Sequence, residues 1–332
     1  MKALVLKANA HFVYEDVDVP AIRDGFDVCL TVRAAGICRS DIPRSFAGRS
    51  YYYPIILGHE IVGVVSSGLG SGRQVVVYPL IPCGTCPQCR ADKVNLCRDY
   101  GYIGSRRDGG FSTTVVVPQG NVIDVPVNMD PLLAVLTEPV AVLTHAFKKL
   151  VLKKKSRIGI IGDGPMGLIL GRMLLTKGYP DVVLFGMHEH KLALAREFGI
   201  SAMENNKRNV SQEHINSFDA VFELAGTNSA YESAVRILAP EGMLVLVGNS
   251  VGNITLKREI FSEILRKEIV VLGSWNSLHP DWVDALNYLN RDPIVGKVVS
   301  HRFSLREGAT ALRAIHERTA ANYVKGVFVV DA

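Results

Sequence analysis

The sequence predicts an α/β protein with a mainly-β first domain and a doubly wound parallel sheet in the second. Three observations carry this prediction. Short β-rich runs, punctuated by glycine and proline, fill the chain from Met1 to about Pro126. After about Leu143, apolar strand-like runs alternate with helical segments, which is typical of a parallel sheet covered by helices. A glycine-rich turn, Gly162–Gly167, joins the first of these strands to the first helix.

Composition sets the outer limits. A chain of 332 residues is long enough for two substantial cores. The net charge of +5 is modest, and no basic stripe interleaved with aromatic residues indicates nucleic-acid binding. No apolar run is long enough to span a membrane, and Met1–Lys7 predicts a strand and not an export signal. We therefore expect a cytoplasmic protein without a nucleic-acid or membrane partner.

The first domain is predicted to cover residues 1–142 and to resume over residues 276–332. Its first part is expected to be a mainly antiparallel set of strands, including Asp27–Arg33, Ile61–Val65 and Arg73–Tyr78. Its second part is expected to hold an amphipathic helix over Trp282–Asn290 and a closing strand over Gly326–Val330.

The second domain is predicted over residues 143–275. Helices are expected over Pro165–Thr176 and Lys191–Phe198. Apolar runs before, between and after these helices predict a series of parallel strands, at Ile158–Ile161, Val182–Phe185, Asp219–Phe222, Met243–Val247 and Ile269–Leu272.

The turn Gly162-Asp-Gly164-Pro165-Met166-Gly167 predicts a dinucleotide site. The first glycine permits a tight turn, the second lets the backbone approach a pyrophosphate, and the third lets the helix lie close to the strand. The free N–H groups at the helix N-terminus then face negative charge.

The end of the second strand favours NADP(H) over NAD(H). An acidic residue is expected there to bind the adenosine ribose of NAD, but the chain has Gly186. Glycine leaves room for a 2′-phosphate, and His188, His190 or Lys191 could supply positive charge. Glu189 remains an alternative ribose ligand, so the preference stays open.

Four cysteines, Cys83, Cys86, Cys89 and Cys97, have the spacing of a closed structural zinc site. Two disulfides are the alternative, and the expected intracellular location favours the metal. A second set of candidate ligands, Cys38, His59 and, much later, Glu138, suits a zinc ion with a free position. Taken singly, each of these could be a core residue or a helix-start carboxylate.

Together these motifs resemble the zinc-dependent medium-chain dehydrogenases, the alcohol/sorbitol/threonine dehydrogenase superfamily, over essentially the whole chain. The motifs that carry the resemblance are Gly36–Asp41, Gly58–Glu60, the four cysteines, Asp108–Phe111, Glu138-Pro139 and Gly162–Gly167. Within the superfamily, Tyr51–Glu60, Tyr102–Phe111, Ile264–Glu268 and Gly273–Trp275 are most similar to the galactitol-1-phosphate 5-dehydrogenases.

The resemblance implies a GroES-like first domain with a structural zinc lobe at residues 80–100, and a Rossmann second domain. It implies a catalytic zinc held by Cys38 and His59, with Glu60, Glu138 or both completing the ligands. Two zinc ions per chain and a homodimer or homotetramer are therefore expected.

The resemblance also assigns roles around this zinc. Ser40 would accept the alcohol proton, Asp41 would orient His59, and Arg39 would contact the cofactor pyrophosphate. Some relatives have a histidine three residues after the serine, but this chain has Pro43. The further path of the proton is therefore open among ribose hydroxyls, water and Glu138.

The implied reaction is hydride transfer between a secondary alcohol and NAD(P)⁺ to give a ketone. Arg44, Arg106 and Arg107 suit a phosphate, which favours a polyol phosphate, although they could equally be surface or interface charges. Trp275 is a further candidate substrate contact, with core packing as the alternative. The alternative activities are sorbitol/xylitol-type, amino-sugar or inositol-type, and L-threonine 3-dehydrogenase; a non-catalytic binding protein is disfavoured by the intact motifs.

Overall fold

A computed structural model describes residues 1–204, 211–250 and 252–330. Its contacts divide the chain into two compact units, Met1–Ala141 with Ser277–Ala332, and Val142–Asn276. The boundaries expected from the sequence lie one residue away from these. In the described ranges, no helix has the length and apolar character needed to cross a membrane.

Short strands dominate residues 1–141, as the sequence predicts. The strands are β1 (Lys2–Ala8), β2 (His11–Asp16), β3 (Asp27–Gly36), β4 (Ile55–Ile56), β5 (Glu60–Ser67), β6 (Gln74–Val77), β7 (Leu80–Ile81), β8 (Gly101–Tyr102), β9 (Thr114–Pro118) and β10 (Val122–Asp124). The helices that begin in this part are α1 (Asp41–Phe46), α2 (Pro87–Arg90), α3 (Pro131–Ala134) and α4 (Thr137–Phe147).

Strands and helices alternate in the second unit. The strands are β11 (Ile158–Ile161), β12 (Val182–Gly186), β13 (Ser201–Glu204), β14 (Phe218–Glu223), β15 (Leu238–Leu246) and β16 (Val270–Gly273). The helices are α5 (Pro165–Thr176), α6 (Glu189–Glu197), α7 (Asn228–Ile237) and α8 (Arg258–Arg266). The bounds of α5 are those predicted, whereas α6 begins two residues earlier than expected.

The chain then returns to the first unit through α9 (His279–Arg291), β17 (Val299–Ser304), α10 (Gly308–His316) and β18 (Lys325–Val329). Strand β18 pairs antiparallel with β3 but parallel with β17, so the expected antiparallel pattern is not complete. A parallel neighbour is reached here because α10 forms the crossover between β17 and β18.

The main sheet of the first unit brings two distant motifs together. Strands β3 and β5 pair antiparallel, with Gly36 opposite Glu60. Cys38 follows the end of β3, and His59 precedes the start of β5, so both residues lie at the same end of this strand pair. Val327 of β18 pairs with Gly36, so β18 passes this end as well.

In the described part of the second unit, the strand order is β13-β12-β11-β14-β15-β16, and every pair is parallel. This is the order of a doubly wound dinucleotide-binding sheet, which confirms the predicted fold class. The order reverses between β11 and β14, and ligands bind at the carboxyl ends of strands at such a point. Gly162 follows β11 and Gly186 ends β12, so both lie at this carboxyl edge.

The two tryptophans lie in different environments. Trp282 is 1% exposed, its Nε1 donates to Ser277 Oγ at 3.0 Å, and its ring meets Tyr78 edge-on. Trp275, in the second unit, is 50% exposed. Core packing therefore accounts for Trp282 and not for Trp275.

The contrast in burial predicts different costs of truncation. We expect Trp282→Ala to lower the free energy of unfolding by about 3–5 kcal/mol, because it leaves a cavity and removes a large buried ring. Trp275→Ala is the matched control and should cost less than about 1 kcal/mol. Denaturant titration of both variants measures the difference, and equal losses would contradict the assignment of Trp282 to the core.

Candidate metal and cofactor sites

Cys38, His59 and Glu60 form a cluster of possible metal ligands at the edge of the β3–β5 pair. Their ligand atoms all lie within 4.8 Å of one another, with His59 and Glu60 buried and Cys38 half-buried. Among the described residues, Glu138 is not part of this cluster, although the sequence left it open as a direct ligand.

Asp41 organises the cluster from the first turn of α1. Its Oδ2 accepts the Cys38 N–H at 3.0 Å, and its Oδ1 lies 3.5 Å from His59 Nδ1. With Nδ1 turned toward the carboxylate, Nε2 is left as the ligand atom of His59. Burial lowers the pKa of His59, but the charges of Cys38 and Asp41 outweigh it and raise the pKa well above its ordinary value.

Lys325 holds Glu60 in a fully buried ion pair. Its Nζ lies 2.8 Å and 2.6 Å from the two carboxylate oxygens, and it also donates to the carbonyl oxygen of Ile37 at 3.1 Å. Burial lowers the pKa of Lys325, but the Glu60 and Cys38 charges reverse this and raise it. The ammonium thus connects the residue before Cys38 with the residue after His59.

Glu138 joins the site through Tyr102. The Tyr102 hydroxyl donates to Glu138 Oε1 at 3.4 Å, and its ring packs edge-on against His59 with centroids 5.8 Å apart. Burial raises the pKa of Glu138 to about 7; His59 opposes this rise and the Glu60 carboxylate adds to it. Glu138 is therefore a buried carboxyl beside the cluster, poised to hold or release a proton.

Ser40 lies next to the cluster, and an arginine forms a hydrogen bond with its backbone. Its hydroxyl lies 3.3 Å from Cys38 Sγ, and Arg44 Nη1 donates to the Ser40 carbonyl oxygen at 2.8 Å. Both side chains are half-buried, whereas Arg39 is exposed.

The cluster fits a zinc ion. Thiolate, imidazole and carboxylate are the ligands zinc takes in sites that keep a position for substrate. The anionic groups that favour a proton on buried His59 would equally favour a cation in its place.

The four cysteines form a second candidate metal site. Their sulfurs all lie within 4.8 Å of one another, and the measured pairs are 3.5–3.9 Å apart. A tetrahedral zinc site with bonds of about 2.3 Å places sulfurs about 3.8 Å apart, whereas a disulfide requires about 2.0 Å. The cysteines are all free thiols, so the disulfide alternative is wrong. Backbone N–H groups of Thr85 and Cys86 lower the pKa of Cys83 to about 6, which favours the thiolate.

Arg106 is clamped between two tyrosine rings. Its guanidinium lies 4.5 Å from the ring centroid of Tyr51 and 4.2 Å from that of Tyr100. Burial raises the pKa of Tyr100, and the charges of Arg106 and Arg44 oppose that rise. Arg106 therefore contacts Tyr100 directly, and the charge of Arg44 also acts on this tyrosine.

Arg107 has a different environment. It lines a cavity of about 360 Å³ together with Asp27, Tyr52 and Asp108. None of Cys38, Ser40, Arg44, His59 or Arg106 lines this cavity. Arg107 therefore lies in a different environment from Arg44 and Arg106.

The glycine-rich turn of the second unit has the geometry of a phosphate cradle. Gly162 has φ of +123°, Gly164 is the N-cap of α5, and Pro165 begins the helix, with Met166 following in its first turn. A Cβ on Gly167 would lie 1.9 Å from the carbonyl oxygen of Gly162, so only glycine permits this close helix–strand packing. The turn fits a dinucleotide, because the first N–H groups of a helix have no partner within it and can bind a pyrophosphate.

Asp163, inside this turn, binds the end of β12. Its Oδ2 accepts the N–H groups of Met187 and His188 at 2.7 and 2.8 Å, and His188 Nδ1 lies 2.9 Å away. Burial raises the pKa of Asp163, but these hydrogen bonds and the charge of Lys191 lower it below its ordinary value. A Cβ on Gly186 would lie 2.5 Å from the Asp163 Cβ. Glu189, the alternative ribose ligand, pairs with Arg196 at 2.7 Å.

Sequence reasoning assigned no role to Tyr102, Lys325 or Asp163. Tyr102 and Asp163 lie inside motifs that were recognised, but their partners are 36 and 25 residues away in the chain. Lys325 lies 265 residues from Glu60. A lysine at the start of an otherwise apolar closing strand was the only signal for it.

Two family models match the chain. The alcohol dehydrogenase GroES-like domain matches residues 24–127, and the zinc-binding dehydrogenase domain matches residues 165–291. The galactitol 1-phosphate 5-dehydrogenase of Escherichia coli is 34% identical over an alignment that covers 95% of this chain and 96% of that protein.

Two solved structures have a fold similar to that of this chain over nearly its full length. The crystal structure of galactitol-1-phosphate dehydrogenase from Escherichia coli has a TM-score of 0.91 at 32% identity, covering 99% of this chain and 100% of that one. A protein from Sinorhizobium meliloti solved with NADP has a TM-score of 0.89 at 29% identity, covering 99% and 98%.

The buried Lys325–Glu60 pair predicts a strong and asymmetric mutational effect. Lys325→Met leaves a buried carboxylate without its cation, and we expect a loss of about 3–5 kcal/mol in the free energy of unfolding. The double variant Lys325→Met, Glu60→Gln removes both charges and should recover most of that loss. Denaturant titration measures both, and a single variant no less stable than the double would contradict the ion-pair assignment.

Proposed function

The chain belongs to the zinc-binding alcohol dehydrogenase family, and we propose that it oxidises a secondary alcohol of a polyol phosphate to a ketone with NADP⁺. The family and its polyol-dehydrogenase relatives make it a zinc-dependent oxidoreductase that uses a nicotinamide cofactor. The phosphorylated substrate and the choice of NADP(H) are the finer parts of the proposal. The observation that carries the first is the Arg106 guanidinium between the rings of Tyr51 and Tyr100, together with Arg44, which donates to Ser40.

The reacting residues follow from the cluster geometry. Cys38 and His59 would hold the catalytic zinc, and Glu60 or Glu138 would complete its ligands. When bound, the metal lowers the pKa of the substrate hydroxyl and the nicotinamide accepts the hydride. Ser40 accepts the alcohol proton, since its hydroxyl lies beside Cys38 Sγ. Where it does not bind the metal directly, Glu138 is a second group that can hold this proton, because burial raises its pKa.

Glu60 and Glu138 differ in their availability to the metal. Glu60 lies in the ligand cluster, but both of its oxygens face the Lys325 ammonium. Glu138 contacts a neutral tyrosine hydroxyl instead. We therefore infer that Glu60 shapes the site mainly through Lys325, and that Glu138 reaches the metal directly or through water.

The substrate phosphate is proposed to bind Arg106 and Arg44. A guanidinium stacked between two aromatic rings keeps a fixed orientation and can present its N–H groups to a phosphate. Arg44 donates to Ser40, and its charge acts both on Tyr100, which contacts Arg106, and on Tyr102, which contacts His59. An anion held by the two arginines would thus lie close to the metal cluster. The similarity to a galactitol 1-phosphate dehydrogenase supports this substrate class.

The adenosine end of the cofactor is proposed to favour NADP(H). At the end of β12, Gly186 stands where an NAD-binding protein would have an acidic residue, and His188 and Lys191 follow it. Sorbitol/xylitol-type, amino-sugar or inositol-type, and L-threonine 3-dehydrogenase activities are the alternatives on this scaffold. They differ from the proposal in lacking a substrate phosphate.

Assembly into a homodimer or homotetramer is also proposed. In the described part of the second unit, β16 ends the sheet, and its Val270 and Val271 are 48% and 45% exposed. Phe261 and Leu265 on the neighbouring helix α8 are exposed as well. We expect a second copy of the chain to cover this edge. The cytoplasmic location stays a prediction.

Two zinc ions per chain are expected, one in each cysteine-containing site. Elemental analysis of the purified protein should give two equivalents, and Cys38→Ser and Cys83→Ser should each remove one. Cys29→Ser is the control, because Cys29 lies in neither cluster and should leave the count unchanged. A wild-type protein with one zinc that Cys38→Ser does not remove would refute the catalytic site.

The substrate proposal predicts a selective effect of Arg106. A panel of polyols and polyol phosphates should show a preference for the phosphate ester, and Arg106→Ala should lower kcat/KM for that ester tenfold or more. This corresponds to the loss of a charge-assisted hydrogen bond of about 1.5–3 kcal/mol. The free polyol should change less than threefold.

Arg107→Ala is the matched control, since Arg107 lines a cavity to which neither Arg44 nor Arg106 contributes, and it should leave kcat/KM unchanged for both substrates. Equal kcat/KM for the ester and the free polyol in the wild-type enzyme would refute the phosphate proposal.

A further inference from the structure

We propose that Asp163 is a positioning residue for cofactor selectivity, which holds His188 so that the imidazole contacts the 2′-position of the adenosine ribose and favours a 2′-phosphate. This inference rests on the proposed use of NADP(H) and deepens it. It concerns an acidic residue inside the phosphate-binding turn, where a carboxylate would be expected to repel the cofactor.

The carboxylate of Asp163 is buried, and one of its oxygens binds the end of β12. It is 8% exposed, and one oxygen receives two backbone N–H groups and faces the His188 ring nitrogen. Three donors on one oxygen offset much of its charge and favour the ionised form, which agrees with the lowered pKa of Asp163. Its negative charge is therefore directed at the end of β12 and not at a pyrophosphate bound at α5.

The position of His188 matches the part of the cofactor that distinguishes NADP from NAD. In doubly wound folds, the residue that reads the adenosine ribose lies after the second strand of the nucleotide-binding unit. His188 is the N-cap of α6, two residues after β12 ends, and its imidazole is 45% exposed. With Nδ1 held by Asp163, the ring presents Nε2 on its opposite side.

This arrangement also gives a different reason for Gly186. The sequence interpretation was that glycine leaves room for a 2′-phosphate. The structure adds that a Cβ at this position would lie 2.5 Å from Asp163 Cβ and 2.8 Å from its Oδ2. Glycine is therefore needed for Asp163 to reach the N–H groups of Met187 and His188.

An imidazole between the Asp163 carboxylate and a 2′-phosphate makes the arrangement selective. Each of its two nitrogens then faces an anionic oxygen, Nδ1 that of Asp163 and Nε2 that of the phosphate. The 2′-hydroxyl of NAD is uncharged, so it forms a weaker interaction with His188 Nε2 than a 2′-phosphate does. Lys191, whose charge acts on Asp163, adds positive charge at the same place, and the His190 ring lies 6.0 Å from that of His188.

Calorimetric titration with NADP⁺, NAD⁺, 2′,5′-ADP and 5′-ADP tests the inference without turnover. We expect Asp163→Ala to weaken NADP⁺ and 2′,5′-ADP tenfold or more and to change NAD⁺ and 5′-ADP less than threefold. His188→Ala should do the same, and the double variant should bind NADP⁺ no more weakly than His188→Ala alone. Asp163→Asn keeps an acceptor oxygen but loses the charge, so it should still weaken NADP⁺ selectively.

Gly186→Ala provides an independent arm. Its methyl group should displace Asp163 and reproduce the loss of NADP⁺ affinity, and Asp163→Ala with Gly186→Ala should be no worse than Asp163→Ala alone. Zinc content and thermal unfolding of each variant establish that it is folded.

The outcomes separate the two levels of the proposal. The wild-type ratio of NADP⁺ to NAD⁺ affinity tests the proposed cofactor, and a preference for NAD⁺ would overturn it. The change of that ratio on substitution tests Asp163. An equal loss of both cofactors would make Asp163 a structural brace only, and tighter NADP⁺ binding by Asp163→Asn would make its charge repulsive; either result overturns the positioning role.

Discussion

One buried ammonium group holds the candidate catalytic site together. Lys325 donates to the carbonyl oxygen of Ile37 and pairs with Glu60, so a single side chain fixes the backbone on both sides of the gap between Cys38 and His59. Asp41 supports the same two ligands from the other side. A charged group this deeply buried persists only with close partners, so the ligand geometry and the closing of the sheet by β18 depend on each other.

Most of the fold was accessible from the sequence because its elements are local patterns. The predicted strand Ile158–Ile161 and helix Pro165–Thr176 have the bounds of β11 and α5, since strand, glycine turn and helix follow one another directly. Strand β2 and helices α7, α8 and α10 were not specified in advance. The parallel pairing of β17 and β18 was missed because it is a matter of topology, which periodicity does not encode.

The candidate site was accessible only as far as residue type and spacing carry it. The four cysteines and the pair Cys38 and His59 are chemically distinctive, so their positions predict the two clusters. Tyr102, Lys325 and Asp163 are ordinary residues whose roles arise from partners distant in the sequence. The arginines illustrate the same limit, because Arg106 and Arg107 are neighbours in the chain but face a tyrosine clamp and a separate cavity respectively.

The first unit is formed by two separate stretches of the chain, and this has a consequence for the order of folding during synthesis. Translation proceeds from the N-terminus, and domains generally fold as units as they emerge. Residues 142–276 are therefore synthesised before Lys325. Until Lys325 is added, Glu60 in the β3–β5 pair has no cation to neutralise its charge. The cofactor-binding unit can thus be completed while the unit that carries the candidate metal ligands still lacks Lys325.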